Sequence, residues 1–185
     1  MSWLADLGRS SYVSQRGLAD TLKKLQEAGK LDANAATSRG SIKRARDTAL
    51  QNMTTRFGPL LQQVSLQGSS SKKYAVSMIN PVALWTHIVE NSSGMDTLLS
   101  QAFRENPPSI GQKWSLVLYC DELVLGNALR HQNNRKLQVF YWSWLQLGSR
   151  ALASEKCWFP VAVIRSTKVA ELGGVTVVWP QILDP

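Results

Sequence analysis

Apolar positions in the first third of the chain recur at helical spacing. Leu18, Leu22 and Leu25 form one narrow stripe between Ser14, a natural helix cap, and Gly29, a natural stop. So narrow a stripe has to dock on something. From Ser38 to Leu66, Ile42, Ala45, Ala49 and Met53 share a second face, with Lys43, Arg44 and Arg46 mostly away from it. Gly58-Pro59 is expected to end or bend this helix. The two segments resemble a helix-turn-helix only loosely. About ten polar or small residues separate them, more than that motif's tight turn allows.

Residues 68–73, Gly-Ser-Ser-Ser-Lys-Lys, read as a linker between a basic helical region (1–67) and the remainder (74–185). Asn80 then caps a helix with Pro81 in its first turn and an apolar face of Val82, Trp85, Ile88 and Val89. Asn91 to Gly94 interrupt it. A second helix near Met95–Arg104 stops before Pro107-Pro108, giving a helical hairpin.

From Lys113 the period changes. The apolar run Trp114–Cys120 suits a strand covered on both faces, and the aromatic and β-branched run Lys136–Leu147 a second strand. Cys157–Arg165 reads as a third. Pro160 cannot donate to a ladder, so this strand needs an edge position or a bulge. Ser166–Leu172 suits a short helix stopped by Gly173-Gly174, and Val175–Trp179 a further strand broken by Pro180. Connections too short for helical crossovers predict an antiparallel meander. The expected class is α+β: N-terminal helices and a helical hairpin, followed by a three-stranded antiparallel sheet.

Composition narrows the function. With 44% hydrophobic and 18% charged residues, the chain can build a core and is not wholly disordered. No run approaches the ~20 apolar residues of a membrane span, and the start carries Asp6 in place of an apolar signal core. An intracellular protein, nuclear or cytoplasmic, is expected, with Cys120 and Cys157 as buried free thiols. Net charge is +8, with ten Lys/Arg against five Asp/Glu in the first 60 residues. Such an excess favours polyanions, DNA first and RNA second, although a solvated basic face gives the same pattern. Lys43, Arg44 and Arg46 are the candidate phosphate contacts of the first region. Arg130, Arg135 and Lys136 are those of the later loop.

Asp121, at the exit of the first apolar run, is the candidate catalytic and metal-binding residue, because strand-end carboxylates suit Mg²⁺ or Mn²⁺. Glu122 should point to the other face, and an Asp-Glu pair can equally just end a strand. One carboxylate does not make a two-metal site. Asp121, Glu171 and Asp184 in that order would mimic a nuclease triad. His87 and His131 lack ligand spacing, and no P-loop, GxSxG or GxGxxG is present. Phe140, Tyr141, Trp142 and Trp144 read as core rather than as a base-stacking platform.

The succession WSLVLYCDELVLGNAL, RKLQVFYWSWLQLG, LASE and CWFPVAVIRSTKVAELGGV, with the lead-in NPVALWTHIVENSSGMDTLL, resembles a segment of eukaryotic transposon-derived reading frames. Over about residues 78–175 it is similar to the opening of a ribonuclease-H-like (DDE-type) transposase core. The resemblance implies three antiparallel strands with the third at the sheet edge, and Asp121 as the first acid, holding Mg²⁺. It implies later acids on elements beyond this chain, since Val175–Pro185 departs from the expected helix. It therefore implies a truncated, inactive relative that retains nucleic-acid affinity. Two alternatives stand beside it. One is a non-catalytic helical DNA-binding module. The other is a structural protein that self-associates through an exposed sheet edge.

Overall fold

The computed structural model describes residues 14–68, 73–124 and 136–184. The chain forms two units divided between Thr54 and Thr55, ahead of the expected linker.

In the first unit, α1 (Gln15–Glu27) and α2 (Arg39–Gln51) are both capped as their sequences dictate. Ser14 Oγ accepts from the Gly17 N–H and Ser38 Oγ from the Ser41 N–H, each at 3.1 Å. Leu18, Ala19 and Leu22 bury against Ile42, with Leu31 and Ala45 packed alongside. This is the partner the narrow leucine stripe required. The connecting loop is tied by one side chain: Gln26 Nε2 donates to the carbonyls of Asp32 and Ala33, at 3.1 and 2.6 Å.

A two-residue ribbon, β1 (Thr54–Thr55) and β2 (Gly58–Pro59), falls at the division in the chain. The second unit is built on a five-stranded antiparallel sheet: β3 (Leu61–Gln67), β4 (Lys73–Ile79), β5 (Leu116–Val124), β6 (Lys136–Trp144) and β7 (Phe159–Arg165), in the order β3-β4-β7-β6-β5. Five strands, not three, is the first correction. β3 falls where the sequence predicts the tail of a helix, and β4 follows the predicted linker. They carry a period of two, with Val64 and Leu66 opposite Val76 and Tyr74 in the ladder. Gln67 pairs with Lys73, so residues 68–73 join two strands of one hairpin; 69–72 lie outside the described residues.

The second correction concerns edges. The resemblance placed the third strand at the sheet edge, but β7 lies between β4 and β6. Pro160 is accommodated by the bulge, the other option its missing N–H allowed. Tyr141 pairs with Pro160 and Phe140 with Ala162, leaving Val161 as the extra residue. The edges fall instead to β3 and to β5, the latter expected from its apolar run to be covered on both faces. Leu116, Tyr119 and Leu123 are each about half exposed.

One face of the sheet carries Phe140, Trp142, Phe159 and Ile164, packed under α6 (Ser166–Leu172) and α7 (Val175–Leu183) through Val169, Leu172, Val178 and Ile182. α7 is the third correction: the sequence predicts a strand broken by Pro180 and a departure from the helix that the resemblance expects, yet Val175–Leu183 is a helix, so the premise for placing later acids beyond it fails. Val175, Val178, Trp179 and Ile182 recur at helical spacing, and burial of that stripe overrides the β-propensity of valine. Gly173, at φ +105°, stops α6 as expected. Gln181 pins α7 to the end of β3, accepting from the Gln67 N–H at 2.6 Å and donating to its carbonyl at 3.0 Å.

The helical hairpin forms as α3 (Pro81–Asn91) and α4 (Ser93–Glu105), and Asn80 caps α3 through the Val82 and Ala83 N–H groups. Trp85 meets Trp142, Trp144 and Phe159 with ring centroids 5.7, 6.2 and 5.2 Å apart. Phe140 and Trp142 are core and Trp144 packs against it, as their bulk implied, but Tyr141 is half-buried on the opposite face and stands outside this core. A short helix α5 (Ser149–Leu152) and single turns at Leu145–Leu147 and Glu155–Cys157 connect β6 to β7. Here Ser143 Oγ, fully buried, donates to the Cys157 carbonyl at 2.7 Å.

Candidate functional site

Asp121 does not end its strand. β5 continues to Val124, and Asp121 pairs with Val139 of β6. Alternation divides β5 between the two faces, as extended backbone requires. Tyr119 and Asp121 face the side away from α6 and α7, and Glu122 faces the other.

Glu122 is the more engaged of the two acids. Lys136 Nζ donates to it at 2.7 Å, and Ser166 Oγ at 3.0 Å. These hydrogen bonds, Lys136 first, hold its carboxyl below the ordinary glutamate range. Lys136, a candidate phosphate contact, is thus committed to an ion pair within the sheet. Cys120 is half-buried and Cys157 buried, and burial raises both thiols above their ordinary range.

Asp121 opens onto a different setting. With Glu155, Ala153 and the rings of Tyr119, Tyr141 and Trp158 it lines an open recess of about 590 Å³. Tyr119 stacks on Tyr141 across the ladder, centroids 6.1 Å apart and planes 28° from parallel. Trp158 closes on Tyr119 at 5.6 Å and 55°. Its Nε1 donates to the Leu152 carbonyl at 2.9 Å, which fixes the ring. One Asp121 oxygen accepts the Glu122 N–H at 2.8 Å.

Mg²⁺ asks for octahedral oxygen ligands and parts reluctantly with water. This recess offers two carboxylates and three ring faces, and among the described residues no three His, Cys, Asp or Glu side chains stand together to hold a metal ion. Among the described residues, Asp121 has one further carboxylate, Glu155, beside it in this recess. The Asp121, Glu171 and Asp184 series is likewise not assembled. Glu171 accepts from Tyr74 Oη at 2.6 Å, on β4, three strands from β5.

The remaining candidates separate. Lys43 and Arg44 are exposed on α2, and the Arg44 guanidinium folds back over Gly40. Arg46 lies 3.9 Å from Asp47 and is less exposed. Lys24, Lys30 and Arg39, which the apolar pattern did not single out, are exposed in the same unit. Arg130 and Arg135 lie outside the described residues. Sequence reasoning also passed over Tyr119, Trp158 and Glu155; only alternation along β5 pointed to Tyr119 sharing a face with Asp121.

The fold and site define a mixed α+β chain: a basic helical unit and an antiparallel sheet with an aromatic, acidic recess. No protein-family model matches the sequence, and no curated protein or solved structure is significantly similar to it. Among the described residues no helix is long and apolar enough to cross a membrane.

Proposed function

We propose that this protein binds nucleic acid through the phosphate backbone, using the cations of its helical unit, and acts as a binding module rather than as a phosphoryl-transfer enzyme. The observation that carries the reading is the surface of α2. Arg39, Lys43 and Arg44 are exposed there, and none forms an ion pair with a described residue. Long cationic side chains on a capped helix neutralise phosphates and release condensed counterions. The resemblance of residues 78–175 to a transposase core supports the same class of partner. A binding role is supported by the described neighbours of Asp121 in the recess, which are aromatic rings and one further acid.

Salt-dependent binding to duplex DNA tests this. The double substitution Lys43→Ala/Arg44→Ala is expected to make the slope of log K against log salt shallower by about 2, with affinity falling for every sequence alike. Lys136→Ala, which removes a cation already paired with Glu122, is expected to leave the slope unchanged. An unaltered slope in the α2 variant overturns the proposal.

A second reading is favoured by β5, the apolar, exposed edge of the sheet. Two copies related by a two-fold axis pair such edges antiparallel, and the contact is self-complementary. Wild-type protein is then expected to dimerise with little salt dependence in sedimentation equilibrium. A charge in the middle of the edge strand, Leu118→Lys, is expected to return it to monomer. A wild type monomeric at 100 µM (roughly the weak end for a specific edge contact) removes this reading.

A further inference from the structure

We propose that the recess formed by Tyr119, Tyr141, Trp158, Asp121 and Glu155 binds a methylated ammonium group. Among the described residues, the rings of Tyr119, Tyr141 and Trp158 and the carboxylates of Asp121 and Glu155 line one open volume of about 590 Å³. Tyr119 meets both other rings, Tyr141 stacked at 6.1 Å and Trp158 tilted at 5.6 Å. Aromatic faces present the negative side of the ring quadrupole and attract cations. The hydrogen bond from Trp158 to the Leu152 carbonyl orients that ring before any ligand arrives. Both carboxylates are exposed at the recess, and neither forms an ion pair with a described residue.

The kind of cation follows from hydration. A bare metal ion would have to surrender bound water to ring faces that cannot replace it as ligands. A methylated ammonium is large, weakly hydrated and clad in methyl groups. It loses little on leaving water, gains apolar contact with the rings, and keeps its charge for Asp121 and Glu155. A free quaternary amine and a methylated lysine side chain share this chemistry.

The test is an NMR titration of the full chain with choline, with its uncharged isostere 3,3-dimethylbutanol, and with a short peptide carrying trimethyl-lysine or unmodified lysine. Choline is expected to shift the Tyr119 and Trp158 ring resonances and to bind at least ~5-fold more tightly than the isostere. A trimethyl-lysine peptide ~10-fold tighter than choline assigns the ligand to a protein chain, and equal affinity assigns it to a free amine. Tyr119→Ala, at a half-exposed edge position, is expected to weaken binding ~10-fold, and Asp121→Asn ~3-fold, with unchanged spectra elsewhere. Isostere and choline binding alike, no shift at these rings, or full affinity in both variants would each overturn the proposal. DNA binding plays no part in the readout, so this site and the α2 surface stand or fall separately.

Discussion

Replacing Phe140 with alanine is expected to destabilise the sheet unit by about 3–5 kcal/mol. Phe140 is fully buried in the middle of β6, opposite Cys120 on one neighbour and Ala162 on the other. Its ring meets Trp179 of α7 edge-on at 5.1 Å, so it joins the sheet to the helix that covers it. Removing the ring leaves a cavity between two rigid layers that cannot collapse, which places the cost at the upper end of core truncations. A domain of this size is stabilised by only about 5–15 kcal/mol in total. The expected thermal midpoint therefore falls by on the order of 10–20 °C. Val163→Ala is the matched control, on the neighbouring strand but half exposed, and is expected to cost under about 1 kcal/mol. Equal losses in the two variants would mean that the layer under α7 is not the centre of the core.

In the helical unit, Leu22→Ala is expected to cost about 2–5 kcal/mol. Leu22 is 2% exposed and belongs to a buried cluster of only four residues, with Leu18, Ala19 and Ile42. Helices of 13 residues are marginal alone in water, so α1 and α2 depend on this contact. A unit of 54 residues has little stability in reserve. The expected result is loss of amide-exchange protection throughout α1 and α2, with the amides of β6 and β7 still protected. If α2 is the phosphate-binding surface, the same variant also loses DNA affinity, although it removes no charge. Lys24→Ala, on the exposed side of α1, should leave protection intact. Retained protection in the Leu22 variant would show that the helices are held by something other than their mutual apolar contact.

Local chemistry was legible wherever one residue decides the outcome. Ser14 and Asn80 cap helices because their side-chain oxygens accept the first free N–H groups, and Gly173 stops one because it can adopt a positive φ. Pro160 demanded an edge or a bulge, and a bulge is what it has. The aromatic run of β6 announced a core. The first strands were less legible. In Leu61–Gln67 glutamine and serine alternate with valine and leucine, and the preceding helix made it easy to extend one period into the next. The tail Val175–Leu183 misled for the opposite reason: its residues favour strands, and only a surface to pack on makes them a helix.

The candidate site was half legible. Alternation alone put Asp121 and Glu122 on opposite faces. Their surroundings came from partners distant in sequence: Lys136 and Ser166 for Glu122, Glu155 and Trp158 for Asp121.

By itself the sequence determined two of the helix caps, the basic charge of the first unit, the approximate positions of β5, β6 and β7, and Phe140 and Trp142 as core. Each rests on interactions within a few residues or on burial that composition makes unavoidable. Only the tertiary structure decided the order of the strands, the exposure of β5 as an edge, the helical tail and the convergence of three rings and two carboxylates. Those depend on register and on contacts across more than twenty residues, where the free energy of one strand is set by a partner that its own residues do not name.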